Sequence, residues 1–506
     1  SEYFHHAFQK MGHSVLVPPH QEGLPLDKLF NSLMDRPDMI VFTDHLGEHA
    51  FPSGLSGVYG IPKVYYAVDT PINSWWQKSY ARLFDYVFTD QRPLSEELSA
   101  EGVLSGWLPV AVDVDSYQAE KMEDGNKLYD FAFVGSLDPD RRPKRSRLVE
   151  RLSSLFTLKT AGSRQEGWIS PEESGKLYRQ SKLALNESLF PGVTTRMLEA
   201  MASGTVLFTE KAGGDLGELF QAGEDFAWFE PEEVLEVAQS WLSDEKRRRR
   251  AAKKSLEKVR AGHDVQNRAE KVLTTMKRVH YGHGLVDSDA WDPEGQAMFW
   301  TALRWPRDNG QARMMRAGNL LSKAEEAEKI SPMGLFMLGH LARMRNDVPK
   351  AAAFLTRSFE AGEPRGALGM AIMALAMGNL PESRAWLARF TLRDDVPPPD
   401  VNALPTPLVK ALGARLMEMG CDVTPGFSRL HNDPAVWNAF EFYQSAFGND
   451  PGDPELARSL AGLLMNRGAS AEAMEVAQRG LERNPDDEIL GGILAQASKA
   501  SYLTLN

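Results

Sequence analysis

The stretch Leu183–Phe208, within KLALNESLFPGVTTRMLEAMASGTVLF, limits the fold more than any other part of the chain. An apolar run (Leu183–Asn186), a Pro-Gly loop, an amphipathic segment opening near Thr194 and a second apolar run (Thr205–Phe208) read as strand, loop, helix and strand. Parallel strands need a crossover of this kind, so the stretch is one βαβ unit of a parallel sheet. Its loop and helix start lie at a strand's C-terminal end, where polar ligands bind in open α/β sheets.

The helix carries specific chemistry. Thr194 and Thr195 stand where N-cap residues belong, with backbone N–H groups left free to meet an anion, and Arg196 adds a fixed positive charge one step inside. Glu199 follows three residues later on nearly the same helical face, where a carboxylate can accept two hydrogen bonds from a vicinal diol such as ribose. The same residues can also be read as a capping box on a helix that merely packs against the sheet.

At 506 residues the chain exceeds one ordinary core and should hold about three domains of about 150 residues each. A net charge of −12 argues against broad nucleic-acid binding. Cys421 is the only cysteine, which excludes an internal disulfide framework and a cysteine zinc site and makes a reducing cytoplasm the expected location. No apolar run is long enough to span a bilayer, and no signal-peptide core is present.

Residues 1–117 form the expected first domain. An amphipathic helix and a short apolar strand, Ser14–Val17, are followed by strands at Met39–His45, Lys63–Thr70 and Tyr86–Asp90. A doubly wound domain normally opens on a strand, so its first strand is expected before Ser1. The polar strand ends would line one sheet edge and bring Asp44, His45, His49, Asp69 and Thr70 to a common cleft.

Residues 118–284 form the second domain, entered through a linker at Gln118–Lys127. The strand Tyr129–Ser136 ends in a Gly135–Ser136 turn and is followed by Arg141, Arg142, Lys144 and Arg145 at a helix start, a cluster suited to a diphosphate or equally to a solvated basic surface. Phe156–Gly162 and Asp225–Glu230 continue the sheet. Gly213–Gly214 is a flexible turn before a helix Asp215–Gln221. The run KRRRR at Lys246–Arg250 reads as a solvated helix face.

After a glycine-rich hinge at Tyr281–Gly284 the strands end. Residues 285–506 are helical, with glycines and alanines recurring in register. Pro454–Asp487 matches the 34-residue tetratricopeptide pattern, with Gly468 in the turn, Ala473, Ala477 and Gly480 on the second helix and Pro485 closing the unit. Looser units start at Pro332 and Pro364, and helical pieces at Asp292–Lys329 and Val401–Gly448 would complete a solenoid, whose concave side suits an extended peptide. The fold class expected is thus α/β plus all-α: two Rossmann-like doubly wound domains and a C-terminal helical-repeat solenoid.

The stretches KVYYAVDTP, FAFVGSLDPDRRPKRSRLVERL, LNESLFPGVTTRMLEAMASGTVLFTE and GELFQAGEDFAWFEPEEV resemble the two-domain GT-B glycosyltransferases, and more narrowly the CgeB-like (spore maturation protein-like) group. The resemblance covers residues 1 to about 281. It implies a nucleotide-sugar donor held by the second domain, UDP-sugar favoured over GDP- or dTDP-sugar, with no obligatory metal, and an acceptor held by the first. It makes Glu199 the ribose ligand and Arg196, with Arg142 or Arg145, the diphosphate ligands, in a pocket that includes Gly135, Ser136, Asn186, Thr194 and Thr195. A last helix near Asp264–His280 would cross back to the first domain. Many retaining members carry a second glutamate eight residues before the ribose-binding one, and that position here is Pro191, with Glu187 the nearest acidic residue. Asp69, His45 and His49 are the candidate bases for an acceptor hydroxyl. The expectation is a bacterial, cytoplasmic glycosyltransferase whose repeats recruit a protein acceptor such as flagellin, similar in parts to the protein O-GlcNAc transferases. The alternatives are a glycan or lipid-linked acceptor, with the repeats used for assembly or homo-oligomerisation, and a non-catalytic scaffold.

Overall fold

The computed structural model describes residues 2–17, 25–33, 35–44, 52–118, 127–139, 142–162, 167–188, 190, 192–211, 215–306, 309–395, 397, 399, 404–421 and 433–501. The strands of the α/β region form two parallel sheets. In the first, β1 (Ile40–Thr43), β2 (Lys63–Ala67), β3 (Tyr86–Thr89) and β4 (Ser105–Trp107) lie side by side in chain order. Helices Thr70–Ala81 and Arg92–Ala100 make the β2–β3 and β3–β4 crossovers, and right-handed crossovers in one direction put both on one face. The other face is covered by Ala7 and Phe8 of the first helix and by Val265, Ala269 and Val272 of helix Val265–Met276, packed on Val64, Tyr66 and Phe88. Every residue of β2 is therefore buried, which is why KVYYA carries no polar alternation.

The second sheet contains β5 (Tyr129–Val134), β6 (Leu158–Ala161), β7 (Ser181–Asn186), β8 (Val206–Glu210) and β9 (Ala227–Phe229) in the order β6-β5-β7-β8-β9. The winding direction reverses between β5 and β7, and separate apolar cores fill the two faces. That reversal opens a crevice at the strands' C-terminal ends. Two sequence expectations fail in detail. Ser14–Val17 is not a strand: Leu16 and Val17 are each 59% exposed and pair with no described strand. The helix before Gln221 shrinks to Leu216–Leu219.

Tyr281–Gly284 is not a free hinge. The Asp85 carboxylate accepts the N–H groups of Gly282, His283 and Gly284 at 2.7, 2.9 and 3.1 Å, and that of Lys63 at 2.7 Å. Gly284 passes so near the first domain that a Cβ there would lie 2.6 Å from the Leu83 carbonyl oxygen. Beyond it the helices stack in antiparallel pairs: Asp287–Arg304 with Gly310–Glu326, Pro332–Met344 with Val348–Glu360, Arg365–Ala376 with Leu380–Thr391, Thr406–Glu418 with Ala439–Asn449, and Pro454–Asn466 with Ser470–Arg483, ending on Glu488–Ala500. The recurring glycines are packing sites. A Cβ at Gly339 or Gly369 would meet the Leu355 side chain at 2.7 Å, and one at Gly480 would meet Ala457 at 2.5 Å. Among the described residues no helix is long and apolar enough to cross a membrane.

The first pair docks on the first sheet domain. Buried Glu294 accepts the N–H groups of Gly54 and Ser56, and Ser79 donates to Gln296 at 3.0 Å. Trp75 meets Trp300 edge to face at 5.9 Å, and Trp76 meets Trp305 at 6.3 Å.

Candidate functional site

The crevice between β5 and β7 gathers the cationic residues. Arg196, in the first turn of helix Thr195–Ala202, donates Nε–H to the Val134 carbonyl at 2.7 Å and Nη1–H to Asn186 Oδ1 at 3.1 Å, with its guanidinium 4.8 Å above the Phe133 ring. Asn186 is fully buried, and its amide also donates to Ser188 and Thr209, so it orients Arg196 and does not face the crevice. Gly135 has φ +143°, and a Cβ on it would lie 2.6 Å from Arg196 Nη2. Only glycine leaves that edge of the guanidinium open.

Arg145 is held equally firmly. Its Nε–H donates to Glu187 Oε2 at 2.8 Å, Nη2–H to the Glu187 carbonyl at 3.1 Å and Nη1–H to the Ser136 carbonyl at 3.1 Å. Glu187 is itself buried, so this carboxylate fixes an arginine. Arg142, at the N-cap of helix Pro143–Ser153, and Arg196 both have their pKa lowered by burial first and then by the charge of Arg145. Three guanidinium groups held near one another at helix starts favour a bound polyanion.

Thr194 has extended N-cap geometry, φ −109° and ψ 155°, but its side chain caps nothing, and its Oγ1 is buried with no hydrogen-bond partner among the described residues. Thr195 is exposed. Glu199 is hydrogen-bonded with Tyr117, not with the helix start, so the capping box is not formed. Burial raises the Glu199 pKa, opposed by Tyr117 and then by the Arg196 charge. Tyr117 ends the short helix Val114–Tyr117, and Gly175 lies so close beneath it that a Cβ would come within 2.8 Å of its carbonyl oxygen.

Across the crevice stand Asp44, Asp69 and Asp90, at the C-terminal ends of β1, β2 and β3. Asp69 is an L-residue in the left-handed region, φ 52° and ψ 40°, directly before helix Thr70–Ala81. Burial raises its carboxyl pKa, and the charge of Arg142 from the opposite domain pulls it back. Asp69 and Arg142 thus face one another electrostatically. His45, His49, Arg141, Pro191 and Gly213–Gly214 lie outside the described residues. The domains are joined beside the crevice by Arg92, which reaches Asp215 at 3.1 Å and Glu218 at 2.6 Å, and by Gln91, which donates to the Val193 carbonyl at 3.2 Å. Helix Val265–Met276 adds a third tie, since Arg268 donates to the Pro109 carbonyl at 2.7 Å.

Tyr117, Glu187, Phe133 and Asp90 were not legible as site residues. Tyr117 precedes Glu199 by three strands of the second sheet, β5 to β7, and Glu187 read only as a loop acid. Asp90 closes a strand in the same manner as Asp44, the one signal that could have found it. Among the described residues no cluster of histidine, cysteine and carboxylate side chains could hold a metal ion.

The Glycosyl transferase-like family matches residues 141–274, the segment that supplies Arg142, Arg145, Asn186, Arg196 and Glu199. A Tetratricopeptide repeat family matches residues 438–497. No curated protein matches the sequence. Among solved structures, sucrose-phosphate synthase from Thermosynechococcus elongatus is 14% identical over 44% of this chain and 68% of its own, with a TM-score of 0.33. HepE from Anabaena, solved with UDP-glucose, is 16% identical over 43% of this chain and 72% of its own, TM-score 0.34. The pneumococcal O-GlcNAc transferase GtfA, solved with UDP and GlcNAc, is 15% identical over 43% and 53%, TM-score 0.31. Superpositions this loose carry no argument about activity.

Proposed function

We propose that this protein is a glycosyltransferase of GT-B type that binds a nucleotide-diphosphate sugar between its two α/β domains and passes the sugar to an acceptor hydroxyl. The observation that carries the reading is the crevice at the β5–β7 reversal, where Arg196 and Arg142 present positive charge beside a helix N-terminus and Glu199 lies one turn further along the same helix. The family match to residues 141–274 supports it. The diphosphate would meet Arg196 Nη2 over Gly135, Arg142 and the N–H groups at Ser136, Thr194 and Thr195, while the Gly135 N–H stays on the Ala161 carbonyl at 2.9 Å; the ribose diol would displace Tyr117 from Glu199. UDP-sugars are the favoured donors.

In transfer, the acceptor O–H gives its proton to a carboxylate as its oxygen bonds to the anomeric carbon, and the carbon–oxygen bond to the diphosphate breaks with its electron pair on the leaving group. Fixed guanidinium groups and the helix dipole stabilise that charge as it grows. Asp69 is the base this reading selects, because it is half-buried at the crevice, its carboxyl pKa is raised by desolvation, and the charge of Arg142 acts on it from the opposite domain. Glu187 is engaged by Arg145 and is not assigned a second catalytic carboxylate role.

The repeat array supports a protein acceptor, for example a surface or flagellar subunit, since the chain joins a nucleotide-sugar module to an array of a kind that binds extended peptides. A second reading, a glycan acceptor with a structural array, is favoured by the docking of its first helix pair on the sheet domain through Glu294. A thermal-shift panel of UDP, GDP and dTDP sugars tests the donor site. A ligand at 100 times its dissociation constant should stabilise the native state by about 2.7 kcal/mol, and Glu199→Ala should lose that protection. No protection by any nucleotide, or equal protection of Glu199→Ala, would refute the proposal.

A further inference from the structure

Two carboxylates in the first domain, Asp44 and Asp90, determine where Asp69 sits. The turn from β2 into helix Thr70–Ala81 runs through Val68, Asp69 and Thr70, and each of their three successive N–H groups is taken by a carboxylate from a flanking strand end. Asp44 accepts Val68 N–H at 3.0 Å. Asp90 accepts Asp69 N–H at 2.7 Å on one oxygen, and Thr70 N–H at 3.2 Å and Thr70 Oγ1–H at 2.7 Å on the other. Asp44 is braced in turn by the Tyr65 hydroxyl at 2.9 Å and by Gln77 Nε2 at 2.6 Å, while Gln77 Nε2 also reaches the Val68 carbonyl at 2.9 Å.

The consequence falls on the one acid of the three that captures no backbone group there. Asp69 is held at φ 52°, a conformation that costs an L-residue energy and persists only where its surroundings dictate it. Among the described residues its carboxyl makes no hydrogen bond; desolvation and the charge of Arg142 act on it, which leaves its oxygens for another partner.

We infer that Asp90, assisted by Asp44, is a positioning residue that locks the Val68–Thr70 turn so that the Asp69 carboxylate projects toward Arg142 and the bound donor. This rests on the proposed function only in the part that makes Asp69 the base; the lock itself is a claim about backbone geometry. A carboxylate is required because both oxygens accept from N–H donors. In Asp90→Asn the amide NH₂ would face one of those donors, and the turn would relax toward negative φ at residue 69.

The experiment pairs crystal structures with kinetics on the full chain. Wild type, Asp90→Asn, Thr70→Val, Asp69→Asn and the Asp69→Asn/Asp90→Asn double variant are compared for UDP affinity by calorimetry and for UDP release from UDP-glucose, UDP-galactose and UDP-GlcNAc. Asp90→Asn should release UDP at least tenfold more slowly, with UDP affinity unchanged within about twofold, and residue 69 should leave the left-handed region. Thr70→Val, which removes one bond of the three, should fall about threefold and serves if Asp90→Asn does not fold. The double variant should be no slower than Asp69→Asn alone, because Asp90 acts only through Asp69. Residue 69 still near φ 52° in the crystal of Asp90→Asn overturns the inference whatever the activity. Multiplicative losses in the double variant also overturn it. A fully active Asp69→Asn removes Asp69 as base and leaves the lock standing as a structural device.

Discussion

Single residues in this protein carry opposite pH signatures. His263 closes the long basic helix, lies against the Phe220 ring at 5.0 Å with the two planes tilted by 36°, and receives Arg268 Nη2–H on Nδ1 at 2.8 Å. Burial and then the Arg268 charge push its pKa down to about 4. The unfolded chain therefore binds a proton near pH 6.5 that the native state refuses, so stability is complete above about 6.5 and is lost as pH falls toward 4. At 1.36 kcal/mol per unit the loss is at most about 3 kcal/mol. Asp44 and Asp90 act the other way. Burial raises them to about 7 and about 6, so the native state holds protons that the unfolded chain has released, and stability falls as pH rises from about 4 through that range. The two trends overlap, and only a difference separates them. Urea midpoints of wild type minus His263→Gln between pH 4 and 7 should show a wild-type advantage that shrinks on acidification; an advantage independent of pH would refute the assignment. At Gly135 the prediction concerns binding. Gly135→Ala places a Cβ 2.6 Å from Arg196 Nη2 in a backbone region closed to L-residues. UDP affinity measured by calorimetry should fall at least tenfold, with a stability loss of about 1–3 kcal/mol from backbone strain.

At the scale of elements, the carboxylate that ends β3's approach, Asp85, controls the passage from sheet to repeats. Removing it in Asp85→Ala leaves the Lys63, Gly282, His283 and Gly284 N–H groups without their acceptor. An unsatisfied buried donor costs about 1–3 kcal/mol, and water can reach part of this segment, so a total near 2–4 kcal/mol is expected, with faster proteolysis between residues 280 and 286. Unchanged cleavage would mean the segment is held by something other than Asp85. That device also marks where sequence reading ends. β2, β5, β7 and β8 are legible because burial on both faces writes them as apolar runs, and the repeat helices because Gly339, Gly369 and Gly480 recur where neighbours press closest. β4 is not, being three residues with a glycine in the middle and one neighbouring strand. Tyr281–Gly284 reads as a hinge by composition, since no local pattern reports an acceptor almost 200 residues earlier. The proposed donor-side pair, Arg196 and Glu199, can be read from sequence because one helix turn carries both, whereas the Tyr117 partner of Glu199 and the turn held by Asp90 depend on chain crossings that spacing does not encode.

For the whole molecule, the decisive fact is that the repeats and the first sheet domain share one apolar core. Leu55, Trp76, Tyr80 and Phe84 belong to the same continuous cluster as Ala290, Ala297, Phe299 and Leu303, and on through Phe336 and Leu355 to the last helices. At the far end the array touches the second domain, where Lys499 reaches Glu232 at 3.4 Å, an exposed pair that contributes little. The array is therefore anchored at its start and only brushed at its end. Removing residues 285–506 would expose Trp76, Leu55 and their neighbours as a large apolar patch, and such a patch drives association. The fragment ending at residue 284 should elute as aggregate in gel filtration. A chain ending at residue 453 keeps the docked pair, and should remain monodisperse and retain nucleotide protection in thermal shift. If the 1–284 fragment were instead monodisperse with full protection, the shared core would be dispensable and the array an appendage. The same contrast bears on the acceptor. Loss of transfer to a protein acceptor in the 453 truncation, with transfer to a small glycan acceptor kept, places acceptor capture on the terminal repeats, whereas equal retention of both assigns those repeats to structure.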